Sequence, residues 1–169
     1  MKWPIGGNYM KNLYDKARLR RTGRTNCGFT IIDVMVALVI VAILGVIVVP
    51  SYQEAVRKGK RVEGRTALMK LLQQEEEFYS QRNSYIRFSA ASTEEDEKHF
   101  KWYSGDTAKS SAYEIRAEPC MNDRIQNCVQ LIARPGTAKV DSRFKDPVCG
   151  ELSVTSTGLR NANSPDCWR

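Results

Sequence analysis

Hydrophobic and polar positions are distributed unevenly along this chain. From Phe29 to Val49, 21 residues carry a single charge, Asp33, and from Val34 onward nearly all are Val, Ile, Leu, Ala or Met. A helix needs ~20 such residues to cross the hydrocarbon layer of a membrane. A helix buried in a small soluble domain would be shorter and would keep a polar face. Pro50 follows at once and predicts a kink, with Gly45 as a second weak point. Beyond it, Tyr52, Val56, Leu68, Leu71, Leu72, Phe78 and Tyr79 fall largely three or four residues apart among charged neighbours. This is an amphipathic continuation of the same helix. A turn around Arg82 to Tyr85 ends it, so a helix from Phe29 to Asn83 would run roughly 80 Å. Glu75, Glu76 and Glu77 are consecutive and point around the helix, which reads as a solvated face and not a catalytic cluster.

The second half has a different rhythm. Residues 89–111 are rich in Ser, Glu, Asp and Lys and read as a polar connector with one short helix. Strand patterns follow at Tyr113 to Ala117, Val129 to Ala133 and Leu152 to Thr155, with a short one at Leu159-Arg160. Turn signals separate them at Pro135-Gly136 and Ser156-Thr157-Gly158. The expected fold class is α+β: a long N-terminal helix, membrane-spanning in its first half, packed on a small antiparallel sheet.

The formal net charge of +7 at first invites a nucleic-acid partner. Its distribution changes that picture. Residues 1–28 hold seven of the 26 basic side chains and one of the 19 acidic ones, and the remainder is nearly neutral. Most of the basicity therefore flanks the apolar segment, which places the N-terminus in the cytoplasm. A smaller basic group at Arg57, Lys58, Lys60, Arg61 and Arg65 opposes this orientation and is mixed with Glu54 and Glu63. Nucleic acid is not the default partner.

Of five cysteines, Cys120, Cys128, Cys149 and Cys167 lie beyond the apolar segment, an even number in a small polar head. Exported, such a head would carry two disulfides, with three connectivities possible. A Cys120–Cys128 bridge would staple a hairpin between the first two strands, and Cys149 and Cys167 bracket the last strand region. The wide spacing and lack of a CxxC argue against a metal site. Cys27 is left on the cytoplasmic side. Enzyme chemistry finds no support: the one histidine, His99, lies in a charged stretch, and no nucleophile elbow, phosphate loop or zinc signature occurs. No cofactor is expected. Trp102 and Tyr103 are either core or an exposed contact patch.

The junction Cys27-Gly28-Phe29-Thr30-Ile31-Ile32-Asp33 carries the most specific signal. A basic leader ends in Gly, an aromatic residue follows, and an acid stands at the fifth position of the apolar helix. In an ordinary secretory signal the cleavage site follows the apolar stretch instead. This junction resembles the processing site of type IV prepilins and the related secretion pseudopilins. The resemblance implies cleavage by a prepilin peptidase between Gly28 and Phe29 and N-methylation of Phe29. Asp33 stands where the family usually has Glu. There it would pair with the N-terminal ammonium of a neighbouring subunit; the alternative is a membrane-edge residue that reaches the headgroups. Val49-Pro50-Ser51-Tyr52-Gln53 and Val56-Arg57 resemble type IVa pilins, and Cys149-Gly150-x-Leu152 with Cys167-Trp168 resembles PilE-like minor pilins, in which that pair closes a C-terminal loop.

The resemblance implies four regions: a cleaved leader over 1–28, a membrane or filament-core helix over 29–49, its amphipathic continuation over 50–85, and a disulfide-bonded periplasmic or extracellular head over 86–169. The true start is Met1 or Met10. The implied function is that of a minor pilin acting in pilus assembly, and hence in adhesion or twitching motility. Its implied partners are other pilin subunits, the prepilin peptidase and the inner-membrane assembly machinery. It would sit in the bacterial inner membrane before assembly and on the pilus surface afterwards. The alternatives are a type II secretion pseudopilin and a pilus receptor for DNA or a surface.

Overall fold

The computed structural model describes residues 28–169; the leader residues before Gly28, including Cys27, Met1 and Met10, lie outside the described part. Helix α1 spans Ile31–Arg82, 52 residues, with Pro50 inside it. The chain divides into two compact units, Met1–Val46 and Ile47–Arg169, the boundary falling within α1. In the described part of the first unit the apolar side chains face outward: Ile31, Leu38 and Val41 are 83, 64 and 65% exposed. This stretch is long and apolar enough to cross a membrane, and none of it is buried among the described residues.

The second unit is a helix packed on a sheet. Strands β1 (Tyr113–Pro119), β2 (Val129–Pro135), β3 (Leu152–Thr155) and β4 (Arg160–Asn161) form an antiparallel meander in chain order. Ile115 faces Ala133 and Ala117 faces Leu131 across the first pair; Leu131 faces Val154 across the second. Alternate residues of β1 and β2 are buried, Tyr113, Ile115 and Ala117 opposite Val129, Leu131 and Ala133. Together with Leu152 and Val154 they meet Leu68 and Leu71 of α1. This period-two pattern is the signature of a sheet with one covered face. Proline ends both long strands, where a missing N–H removes no interior ladder bond.

The polar connector does more than join helix to sheet. The chain on either side of its short helix α2 (Glu95–Lys98) runs along the outer edge of β1: after the helix, the Trp102 carbonyl accepts the Ile115 N–H at 2.7 Å, and before it, the Phe88 carbonyl accepts the Ala117 N–H at 2.9 Å. An edge that would otherwise offer unpaired backbone groups is thereby covered. Phe88 and Phe100 stack beneath it at 5.1 Å, and Trp102 packs half-buried against the core.

One expectation is corrected. Glu75 is not on a solvated face: it is fully buried, while Glu76 and Glu77 are exposed. Its Oε2 accepts the Ile86 N–H at 3.0 Å, so the carboxylate turns inward to hold the chain as it leaves α1.

Candidate functional site

Two places combine the residue types singled out by the sequence. The first is the entry to α1. Thr30 and Asp33 bond reciprocally: the Thr30 N–H and hydroxyl donate to Asp33 Oδ2 at 3.0 and 2.8 Å, and the Asp33 N–H reaches Thr30 Oγ1 at 3.3 Å. This is a capping box with Asp in the place usually held by Glu or Gln. Within one chain, Asp33 therefore stabilises the first helical turn. The Thr-x-x-Asp spacing was visible in the sequence but was not read as a cap. Phe29 beside it is 90% exposed, and among the described residues no heavy atom lies where a Cβ on Gly28 would project. The junction is thus an open peptide followed by a capped helix.

The second is the C-terminal loop. Cys120–Cys128 and Cys149–Cys167 are disulfide-bonded, with Cα separations of 5.4 and 5.7 Å. The first bridge lies at the loop between β1 and β2. The second ties the entry of β3 to the final turn, Pro165–Trp168. A buried ionic clasp fixes the same loop to the helix. Arg61 Nε and Nη2 donate to the two oxygens of Asp146 at 2.7 Å each, a bidentate pair. The Tyr113 hydroxyl and the Cys149 N–H also donate to this carboxylate, at 2.9 and 3.2 Å. Burial alone would raise the Asp146 pKa; the four donors and the Arg61 charge outweigh it and hold the carboxyl below its ordinary range. The bond to Asp146 raises the Arg61 pKa, and burial, together with donation to Asp146, raises that of Tyr113. Gly64, one turn beyond Arg61, lets the Tyr113 ring approach: a Cβ there would lie 2.8 Å from the ring. Sequence reading found the cysteines but not Arg61 and Asp146, which stand 85 residues apart.

Around this loop the surface is basic and partly apolar. Lys58, Arg65 and Arg160 surround exposed Val62 and half-buried Trp168, with the Arg160 guanidinium 5.5 Å above the Trp168 ring. Arg65 donates to the Arg169 carbonyl. No group of His, Cys, Asp and Glu suited to a metal ion occurs among the described residues.

The chain is 31% identical over 72 residues to the type IV major pilin protein PilA of Myxococcus xanthus, an alignment covering 43% of this chain and 33% of PilA. It thus spans about a third of the length of that curated relative. A solved type IV pilin from Shewanella oneidensis aligns with 67% of this chain and 98% of its own, at 23% identity and a TM-score of 0.43. The family model described as "Type IV minor pilin ComP, DNA uptake sequence receptor" matches residues 50–153, from the end of the apolar segment through the clasp to β3. With more than half of its length matched, the chain belongs to this family of type IV minor pilins.

Proposed function

We propose that this pilin is cut between Gly28 and Phe29, methylated at Phe29, held in the inner membrane by residues 29–49, and then built into a pilus with its disulfide-bonded head outward. The observation that carries the reading is the apolar stretch of α1. Its side chains find no cover among the described residues, which suits lipid or the helices of other subunits. The peptidase, the inner-membrane machinery and neighbouring pilins are the partners this implies. In the assembled bundle Asp33 exchanges part of its capping role for the ammonium of a neighbouring Phe29. A carboxylate in an apolar surround costs a few kcal/mol, and such a pairing offsets it.

N-terminal mass spectrometry of the mature protein tests the processing; a mature chain that retained residues 1–28 would sink it. Asp33 variants test assembly. Asn keeps an acceptor for the Thr30 N–H but loses the charge, whereas Glu keeps both. Glu is expected to enter sheared filaments like the wild type, and Asn and Ala are expected to remain in the membrane fraction. Equal incorporation of all four proteins refutes the ion pair and leaves Asp33 as a cap alone.

A second reading places a DNA receptor within the same filament. It is favoured by the description of the matching family and by the basic, aromatic surface of Lys58, Arg65, Arg160 and Trp168. Phosphate contacts make such binding steeply salt-dependent. Retention of duplex DNA by the purified protein, lost between low and moderate salt and lost in Lys58→Glu/Arg160→Glu, is the expected result. Retention unaffected by these changes removes this surface from consideration.

A further inference from the structure

Beyond the apolar run, one side of α1 stays uncovered. Lys58, Val62, Arg65 and Met69 follow one another at intervals of four, three and four residues, so they lie along one face of the helix. Ser51 and Ile47, seven and eleven residues before Lys58, lie on the same face and are exposed, which joins it to the end of the apolar run. The C-terminal loop widens this face. Val148 borders the groove lined by Lys58, Val62 and Arg65, and Arg160 and Trp168 border the one lined by Val62, Arg65 and Met69. Val62 and Val148 are 51 and 53% exposed. Lys58, Arg65 and Arg160 make no ion pair among the described residues. The neighbouring carboxylates are engaged by other groups: Glu54 lies 3.7 Å from both Arg57 and Arg61, and Asp166 lies 2.9 Å from Arg169. The face is therefore cationic and partly apolar, and it is edged by a tryptophan whose ring lies 5.5 Å from the Arg160 guanidinium.

Cations, aliphatic side chains and a tryptophan on one face are what an amphipathic segment presents to the surface of an anionic bilayer. The place of this face on the chain favours lipid over another macromolecule. Lys58 stands roughly 13 Å past Val49 along α1. Its stem leans back toward that end, and the headgroup layer of a bilayer is about 5–8 Å deep. Tyr52, exposed between the two, falls at the level where aromatic side chains concentrate. We infer that, before assembly, this face of the head docks on the outer leaflet of the membrane that α1 crosses. Lys58, Arg65 and Arg160 meet the phosphates of anionic phospholipids, and Val62, Val148 and Trp168 settle among the headgroups. Arg65 is roughly 24 Å past Val49, so docking lays α1 over toward the leaflet. Pro50, which removes one helical hydrogen bond, is placed for that bend. By charge count alone these cations oppose a cytoplasmic N-terminus; seated on the leaflet they hold the unassembled head in place and resist its extraction. The inference rests on the proposed membrane span of residues 29–49.

Contact quenching of Trp168 in vesicles tests it. The full chain, with Trp3→Phe and Trp102→Phe leaving Trp168 as the single tryptophan, is reconstituted in phosphatidylcholine vesicles with or without phosphatidylglycerol. Both carry a nitroxide on the headgroup of a minor phosphatidylcholine. Trp168 is expected to be quenched in the anionic vesicles and much less in the neutral ones, and to recover as salt is raised. Lys58→Gln and Arg160→Gln should each lower the ratio of docked to free heads about fivefold. Lys58→Arg should leave it unchanged, a result that a misfolded head would not give. Equal quenching with and without phosphatidylglycerol, or undiminished quenching in Lys58→Gln/Arg160→Gln, overturns the inference. So does loss of duplex DNA retention in that double variant when neither kind of vesicle quenches Trp168, which gives the face to nucleic acid. A chain that stays with the vesicles in alkaline carbonate without being quenched refutes the docked head alone; a chain that carbonate releases refutes the membrane span as well.

Discussion

Replacement of Glu75 by Gln should make the protein more stable at pH 8 and remove a pH dependence that the wild type shows. Glu75 is fully buried and its Oε1 has no hydrogen-bond partner among the described residues. Burial raises its pKa to about 7; the Ile86 N–H pulls it down and the Glu76 charge adds to the rise. The folded protein therefore holds this proton more tightly than the unfolded chain between about 4.5 and about 7. In that window stability falls as pH rises, and the loss is complete once the folded group has ionised. A carboxyl titrating near 7 when folded and near 4.5 when unfolded costs the folded state about 3 kcal/mol at pH 8. Gln keeps an acceptor for the Ile86 N–H but leaves its amide N–H groups short of a partner, at a cost of about 1–2 kcal/mol. The net gain at pH 8 is then about 1–2 kcal/mol, shrinking to nothing or reversing near pH 5, where wild-type Glu75 is neutral. Urea unfolding of the full chain in detergent micelles, followed by the fluorescence of the half-buried Trp102 and Trp168 from pH 5 to 8, measures this. His99 is present in both proteins and cancels from the comparison. A Gln variant with the wild-type slope over this range, or one less stable than wild type at pH 8, refutes the burial of an uncompensated carboxylate.

The clasp titrates in the opposite sense. The folded pKa of Asp146 lies below its unfolded value, so its contribution is present above about pH 4 and disappears as pH falls further. Asp146→Asn leaves Arg61 with only the more exposed Glu54, 3.7 Å away, as a charge partner and should cost about 3 kcal/mol at pH 7, with that acid limb absent from the variant's stability curve. Gly64→Ala brings a methyl 2.8 Å from the Tyr113 ring and should lower stability by about 1–3 kcal/mol, read as a lower urea midpoint at unchanged slope. Cys149→Ser/Cys167→Ser should lose about 2–4 kcal/mol, and proteolysis should then cut first in the freed segment after Thr155; cutting first elsewhere refutes the local role of that bridge.

Much of this was legible because the signals were local or periodic. The run from Phe29 to Val49, the three-and-four spacing of Leu68 and Leu71, and the alternation of Tyr113, Ile115 and Ala117 each report one face of one element. The strand expectations differ at their ends: β1 and β2 continue to Pro119 and Pro135, and β4 is Arg160–Asn161, one residue later than expected. Such boundaries depend on pairing with a neighbour: Pro119 is in register because Val129 lies opposite, and Tyr113 because Pro135 does. The disulfide partners were narrowed by spacing and resemblance, because cysteine is rarely indifferent to its neighbours in an exported head.

What escaped were polar residues whose roles depend on tertiary placement. Glu75 sits at the same angle around α1 as Leu68 and Leu71 to within about one residue's rotation, so the helical period alone would have turned it inward. Its charge argued for water, and charge was given the greater weight. The structure resolves the conflict through Ile86, whose N–H needs an acceptor where the chain leaves the helix and finds one in Glu75. Asp146 poses the same problem at longer range. Nothing in its own neighbourhood distinguishes it from Asp141, which remains partly exposed and whose carboxylate accepts from Arg143, two residues on. Asp146 acquires its role because Gly64 admits Tyr113 and Arg61 lies one turn away on the same face, placing three side-chain and one backbone donor around a single carboxylate. A glycine in the middle of a helix weakens that helix. At Gly64 the close approach it permits brings Tyr113 to Asp146, and through that carboxylate the C-terminal loop is tied to α1.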